Sequence, residues 1–219
     1  MRSLRPMALL ALAGTALAAA EDKTHTFRFE KKDAGKVPSG WKAEQTHEGK
    51  HSSIWKVVAD KTGPAKTGYV LAQTAKSPNR VFNLCVVQHG RYKDVELRVA
   101  FKAIRGERDQ GGGFVWRYQD PNNYYIARMN PLEKNYRVYK VVAGDRMELK
   151  RKEKLGVKVR EWHTLKIRQK GVHIECFLDR ETMLDARDKT FPKAGKVGLW
   201  SKSDAQTHFD RFQVTDLGK

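Results

Sequence analysis

The sequence predicts an all-β chain, an antiparallel sandwich or barrel, and three observations predict it. Its dominant hydrophobic period is two, and its short apolar runs are separated by polar turn signals. No stretch beyond residue 20 carries an apolar 3.6-residue period over a dozen residues. A period of two sends alternate side chains to opposite faces of a strand, so one face can be buried while the other stays wet. The 219 residues, 40% of them hydrophobic, suffice for one compact domain. Repeats, low-complexity tracts and linkers are absent from the sequence.

Residues 1–20 stand apart from that fold. Arg2 and Arg5 form a positive start, residues 7–17 are apolar, and Ala18-Ala19-Ala20 offers the small residues that a signal peptidase needs. This pattern predicts a secretory signal peptide, too short for a stop-transfer helix. The expectation is bacterial export, secreted or periplasmic, of a single domain over residues 21–219 with no transmembrane segment after cleavage. Removing Arg2 and Arg5 lowers Lys plus Arg from 43 to 41 against 25 acids, so the formal charge of +18 becomes +16.

Next in order, His47-Glu48-Gly49-Lys50-His51 matches the H-E-x-x-H zinc motif letter for letter. That chemistry needs a helix, which puts both histidines on one face. Gly49 at its centre and the polar flanks argue for an exposed loop instead. Asp94, Glu96, Arg98, Ala100 and Lys102 then alternate with Val95, Leu97, Val99 and Phe101, which reads as a half-buried strand. Asp94 and Glu96, two apart, would project from one face about 7 Å apart, a spacing that could suit a pair of glycosidase carboxylates.

From 105 to 140, Asp109-Gln110-Gly111-Gly112-Gly113 lets backbone approach a ligand or a neighbouring strand closely. If Phe114, Trp116, Tyr125, Ala127 and Met129 fill the core, then Arg117, Tyr124 and Arg128 emerge together on the opposite face. Asp120-Pro121-Asn122-Asn123 and Ala143-Gly144-Asp145 mark turns. Basic residues concentrate at 150–160, with Glu153 the one acid among six cations. The first reading of this run is a solvated hairpin arm. His163, Leu165 and Ile167 lead to a turn at Lys170-Gly171, and Val172, Ile174, Cys176 and Leu178 follow on one core face. Near the end, Trp200 and Lys202 alternate away from Val197, Leu199 and Ser201.

A flat aromatic beside Arg, Asn and acidic groups is what a sugar requires, for its C–H face and for its hydroxyls. Arg117, Tyr124, Arg128, Asn130, Trp200 and Lys202 are therefore the candidate ligand-binding residues. Cys85 and Cys176 permit one disulfide in an oxidising compartment, or two buried free thiols. Nucleic acid is not the expected partner, because no helix-turn-helix, zinc-finger or RNA-binding signature accompanies the charge. Nucleophile-elbow, Walker and dinucleotide motifs are also missing.

The run Asp109-Gln110-Gly111-Gly112-Gly113-Phe114-Val115-Trp116-Arg117, followed by Asn123-Tyr124-Tyr125, resembles the concanavalin A-like, laminin-G-like jelly rolls. So do Glu161-Trp162-His163-Thr164-Leu165, Gly195-Lys196-Val197-Gly198-Leu199-Trp200 and Phe209-Asp210. More narrowly, residues 27–214 are similar to the 3-keto-disaccharide hydrolase-like domains. The resemblance implies an antiparallel two-sheet β-sandwich that binds carbohydrate on a concave face or loop rim. It places Arg117 on the sheet after the glycine entry, Tyr124 and Arg128 on the partner strand, and Trp200 on the closing strand. It matches Asp210 to a position that can help hold a structural calcium. The E-x-D-x-E strand of family 16 glycoside hydrolases is absent.

A sugar-binding module is thus the leading expectation, with no cofactor beyond that calcium. A hydrolase acting on a (3-keto-)disaccharide is the alternative, with Glu96, Glu133 or Asp204 as acid–base candidates. A third reading is adhesion to an acidic polysaccharide or envelope polymer through the basic run at 150–160.

Overall fold

A computed structural model describes residues 23–47 and 53–218. The signal segment and Glu48 to His51 of the histidine motif lie outside the described residues. In chain order the strands are β1 (Thr24–Phe27), β2 (Trp41–Thr46), β3 (Trp55–Ala59), β4 (Tyr69–Gln73), β5 (Phe82–Val87), β6 (Val95–Arg105), β7 (Gly112–Asp120) and β8 (Asn123–Asn130). There follow β9 (Asn135–Val142), β10 (Asp145–Lys152), β11 (His163–Lys170), β12 (His173–Leu178), β13 (Glu181–Arg187), β14 (Lys196–Lys202) and β15 (Gln206–Asp216). A single 3₁₀ turn, Lys31–Asp33, completes the described elements.

These strands form two antiparallel sheets. Sheet I has the order β13-β12-β11-β6-β15-β4-β3, with β1 added along β15. Sheet II has the order β10-β9-β8-β7-β14-β5-β2. The protein is an all-β two-sheet sandwich, and the period-two reading explains its main core. Val95, Leu97, Val99 and Phe101 of β6 face Phe114 and Trp116 of β7, Tyr125, Ala127 and Met129 of β8, and Val197 and Leu199 of β14 in one buried cluster. Each such large side chain contributes about 1.5–3 kcal/mol by leaving water. The indole Nε1 of Trp116 donates to Gln169 Oε1 at 2.5 Å, which ties β7 to β11 across the layers.

Three sequence expectations change here. Val172 is 41% exposed in the β11–β12 turn, because the left-handed Gly171 (φ 56°) keeps it in the turn and β12 begins at His173, one residue later than the alternation implies. Cys85 and Cys176 are both buried free thiols, one from each sheet, so the possible disulfide is not formed. Burial pushes both thiols up and leaves them unreactive. The basic run is a hairpin arm over its first three residues only, the second arm of the β9–β10 hairpin. Lys150, Arg151 and Lys152 sit on the edge strand β10, and residues 153–162 cross from sheet II to sheet I. Lysines on an edge strand discourage pairing with another chain.

Sheet II curls strongly. Its two edge strands both reach the middle of the sheet. From β2, the Thr46 hydroxyl pairs with Tyr124 OH of β8 at 2.5 Å, and Glu44 accepts from Tyr118 OH of β7. From β10, the Arg146 guanidinium lies 4.5 Å from the Tyr139 ring centroid and 5.1 Å from that of Phe82 on β5. The curl encloses a second apolar cluster on the face turned away from sheet I: Leu84, Val115, Tyr124, Ile126, Val141 and Trp200, all fully buried, with Phe82, Val86, Tyr118 and Tyr139.

Candidate functional site

The backbone of β7 sets the spacing on the curled face. A Cβ on Gly113 would lie 1.9 Å from the Ala127 carbonyl oxygen, so no larger residue fits this strand pairing. The glycine run therefore serves a neighbouring strand, not a ligand. Across the sheet, Leu84, Trp200, Gly113, Arg128 and Arg137 stand in one cross-strand row.

Arg128 is 1% exposed. It donates to Glu133 Oε2 at 2.7 Å, to Asn135 Oδ1 at 2.8 Å and to Tyr139 OH at 3.3 Å. Burial pushes Glu133 up, but Arg128 and Asn135 outweigh it and hold the carboxyl below its ordinary value. Asp109, 1% exposed, behaves in the opposite way: burial dominates and raises it, offset in part by Arg128. Asp109 Oδ1 accepts from the Gly111 amide at 2.6 Å and from Asn130 Nδ2 at 3.2 Å, and Oδ2 lies 3.9 Å from Lys202 Nζ. Burial lowers Lys202 in turn.

A cavity of about 280 Å³ opens at the mouth between the two edges, lined by His47, Arg80, Phe82, Asp145, Arg146 and Lys202 among others. His47, the one described member of the histidine motif, is exposed at the end of β2 with its ring 5.7 Å from that of Phe82. Four buried donor atoms on this sheet face have no hydrogen-bond partner among the described residues: Arg128 Nε, Arg137 Nε, Arg146 Nη1 and Trp200 Nε1.

Of the sequence-predicted ligand residues, Lys202 lines this cavity. Trp200 and Tyr124 lie on the expected face but are fully buried, Trp200 5.6 Å beneath Phe82, so neither presents an open ring to a sugar. Arg128 is buried beside them. Asn130 is committed to structure: its Oδ1 accepts the amides of Leu132 and Glu133, and its Nδ2 holds Asp109. Arg117 does not share the face. A bulge between Trp116 and Asp120 puts it in the left-handed region (φ 44°) and turns it to the end of the sandwich. There it donates to the carbonyls of Lys93 (2.9 Å), Phe191 (2.8 Å) and Gly171 (2.6 Å), with Asp94 3.4 Å away.

The catalytic candidates also separate. Glu96 lies on the outer face of sheet I, 3.7 Å from Lys166. Asp94 precedes β6 and accepts the Gly171 amide at 2.8 Å, so Asp94 and Glu96 do not form a facing pair. Asp204, in the β14–β15 turn, accepts the amides of Glu107, Arg108 and Asp109. Burial opposes its ionisation, but these amides hold it low, and it orders the loop that carries Asp109. Glu133 alone stands near the mouth cluster. Asp210 does not fit a calcium ligand. Its oxygens accept the amides of Ala65 and Arg211, each at 2.8 Å, and it is fully buried. Among the described residues no three His, Cys, Asp or Glu side chains gather as a metal site would need.

Sequence reasoning missed Asp109 and Arg146 as site residues. Asp109 counted only as the start of the glycine run, and Arg146 as the residue after a turn. Neither burial nor a reach across a curled sheet leaves a local pattern.

The fold is similar to carbohydrate binding module CBM66 from Bacillus subtilis, with a TM-score of 0.63 and 17% identity over 81% of this chain and 96% of that one. A Bacillus subtilis protein of unknown function with a galectin-like fold matches at TM-score 0.53 and 8% identity, over 88% and 98% of the two chains. A structure described as a native glycosidic hydrolase matches at 0.52 and 11% identity, over 92% and 99%. No curated protein sequence matches the chain. The model of one family covers residues 29–215, nearly all of the described chain, and the protein belongs to that family, the 3-keto-alpha-glucoside-1,2-lyase-like domain.

Proposed function

We propose that this protein is an exported carbohydrate-binding jelly-roll domain that takes a single sugar unit at the mouth of the curled sheet. One observation carries the reading. A cavity of about 280 Å³, close to the lower end of the roughly 300–1,000 Å³ of small-molecule sites, lies over the largely buried Phe82 and beside the cations Arg146 and Lys202. Both cations carry N–H donor groups at the cavity. Sugar hydroxyls accept from such donors, and a sugar's C–H face packs on an aromatic plane. The similarity of the fold to a carbohydrate binding module supports the same class of ligand.

Calorimetric titration of neutral mono- and disaccharides, including 3-keto forms, into the exported chain tests it. Binding should weaken by about tenfold or more in an Arg146→Ala, Lys202→Ala double variant, two charged hydrogen bonds being lost. Full affinity in that variant, or no binding of any sugar, contradicts the assignment.

The family's description and one observation favour a second reading, elimination across a keto-glucoside. Such a reaction needs a base for the proton at C2 and an acid for the departing glycosidic oxygen. Asp109, raised, and Glu133, lowered, flank Arg128 with their proton affinities pushed apart. New product masses from a 3-keto-glucoside, lost in Asp109→Asn with sugar binding retained, would establish turnover. Intact substrate would leave the binding role alone.

A further inference from the structure

We infer that the outer face of sheet I, opposite the curled sheet and separate from its mouth, carries a second site that binds an acidic polysaccharide. Two cavities adjoin there. One, of about 120 Å³, is lined by Pro64, Arg98, Ala100, Thr164, Arg211 and Gln213. The other, of about 170 Å³, shares Arg98 and Thr164 and adds Glu96, Lys166, Phe177 and Arg180.

Arg98, Arg180 and Arg211 are exposed, and their guanidinium groups make no ion pair or hydrogen bond among the described residues. Arg117, Arg128 and Arg137, by contrast, are paired with carboxylates or carbonyls. Arg180 (φ 81°) and Arg211 (φ 50°) hold a left-handed backbone that costs a non-glycine residue free energy. Arg211 does so at a bulge between Asp210 and Gln213, which turns its side chain out of the strand.

Carboxylates of this face stand mainly in the neighbouring cross-strand row, where Glu96, Glu175 and Asp185 accompany Arg168 over β6, β11, β12 and β13. Glu96 faces Lys166 at 3.7 Å, and Asp210 beneath Arg211 is occupied by two backbone amides. Ala100 is the small residue between these long side chains, and its size opens the first cavity. The strip of Arg98 and Lys166, with Arg211 and Arg180 beside it, is therefore positive, concave at two neighbouring points and lined with free guanidinium forks.

A guanidinium fork matches the two oxygens of a carboxylate or sulfate. Gln213, Arg98, Lys166 and Phe177 stand in one cross-strand row over β15, β6, β11 and β12. Adjacent strands lie about 4.8 Å apart, a spacing near the length of one sugar residue. Anionic groups on successive sugars would then meet successive strands. The Phe177 ring, 3.9 Å below the Lys166 ammonium, supplies an apolar plane that a bare polyphosphate would not use. Charge and geometry together favour an acidic glycan over a nucleic acid.

The test is titration of the exported chain with oligogalacturonate, its neutral methyl ester, and a single-stranded DNA of equal charge. Oligogalacturonate should bind with an affinity that falls as salt rises, and the ester should not bind at this face. Arg98→Glu with Arg211→Glu should weaken oligogalacturonate by about tenfold or more while melting temperature and neutral-sugar binding at the other sheet stay unchanged. A triple alanine variant at Lys150, Arg151 and Lys152 should keep wild-type affinity. Unchanged binding in the Arg98, Arg211 variant overturns the site. DNA binding as tight as oligogalacturonate and equally sensitive to that variant overturns the ligand class. Loss of neutral-sugar binding alone would bear on the mouth of the curled sheet and leave this face standing.

Discussion

Arg117 and Lys202 show how a bulge separates a structural cation from one that lines the cavity. Lys202 keeps the alternation of β14 and reaches the cavity. Arg117 follows Trp116 at a bulge, so it leaves the face that Tyr124 and Trp200 occupy and links three carbonyls at the end of the sandwich. A period-two argument cannot locate a bulge, because the inserted residue changes no letter of the pattern. Arg117→Ala should therefore act on stability. Leaving the buried carbonyls and Asp94 without their donor should cost about 2–4 kcal/mol, since each buried polar group left unpaired costs roughly 1–3 kcal/mol. Denaturant unfolding measures this, and sugar affinity in the folded fraction should be unaltered.

At the scale of elements, the segment after β13 is fastened to sheet II through Asp188. Its carboxylate accepts from Tyr125 OH at 2.6 Å, from Lys140 Nζ at 2.9 Å and from the Thr190 amide at 2.8 Å. Burial opposes ionisation, yet these bonds outweigh it and lower Asp188 from 3.8 to about 2. The charged form is thus favoured more in the folded chain than in the unfolded one. Its stabilisation is complete above the ordinary value and is lost as pH falls from about 4 toward 2. Asp188→Asn should flatten the fall in melting temperature over that window while lowering stability at neutral pH. An identical acid slope in the variant would place the fastening elsewhere. The β-strands that form the two layers were legible in the sequence, because Val95 to Phe101, Leu165 to Ile167 and Ile174 to Leu178 each alternate without interruption. The curl of sheet II was not. It depends on Gly113 meeting the Ala127 carbonyl and on Thr46 and Arg146 reaching strands far from them in sequence.

The whole molecule is a sandwich whose two outer faces differ in kind. Sheet II folds its aromatic residues inward and leaves a small mouth with cations at its rim. Sheet I stays open and carries unpaired arginines. The overall charge of +18 signalled anionic partners, but it did not say which face would meet them. The aromatic and arginine content of the 105–140 segment pointed to sheet II, where the proposed mouth lies. Trp200, Tyr124 and Arg128 are buried there, and that burial is a property of the curl and not of their neighbours in sequence. The central claim is that sugar binds at the mouth of sheet II. Backbone amide shifts recorded by NMR during titration with the tightest neutral sugar test it most directly. The account predicts changes centred on Phe82, Asp145, Arg146 and Lys202, with Arg117 and the outer face of sheet I silent. Changes centred on Arg98, Thr164 and Arg211 with that neutral sugar would contradict it.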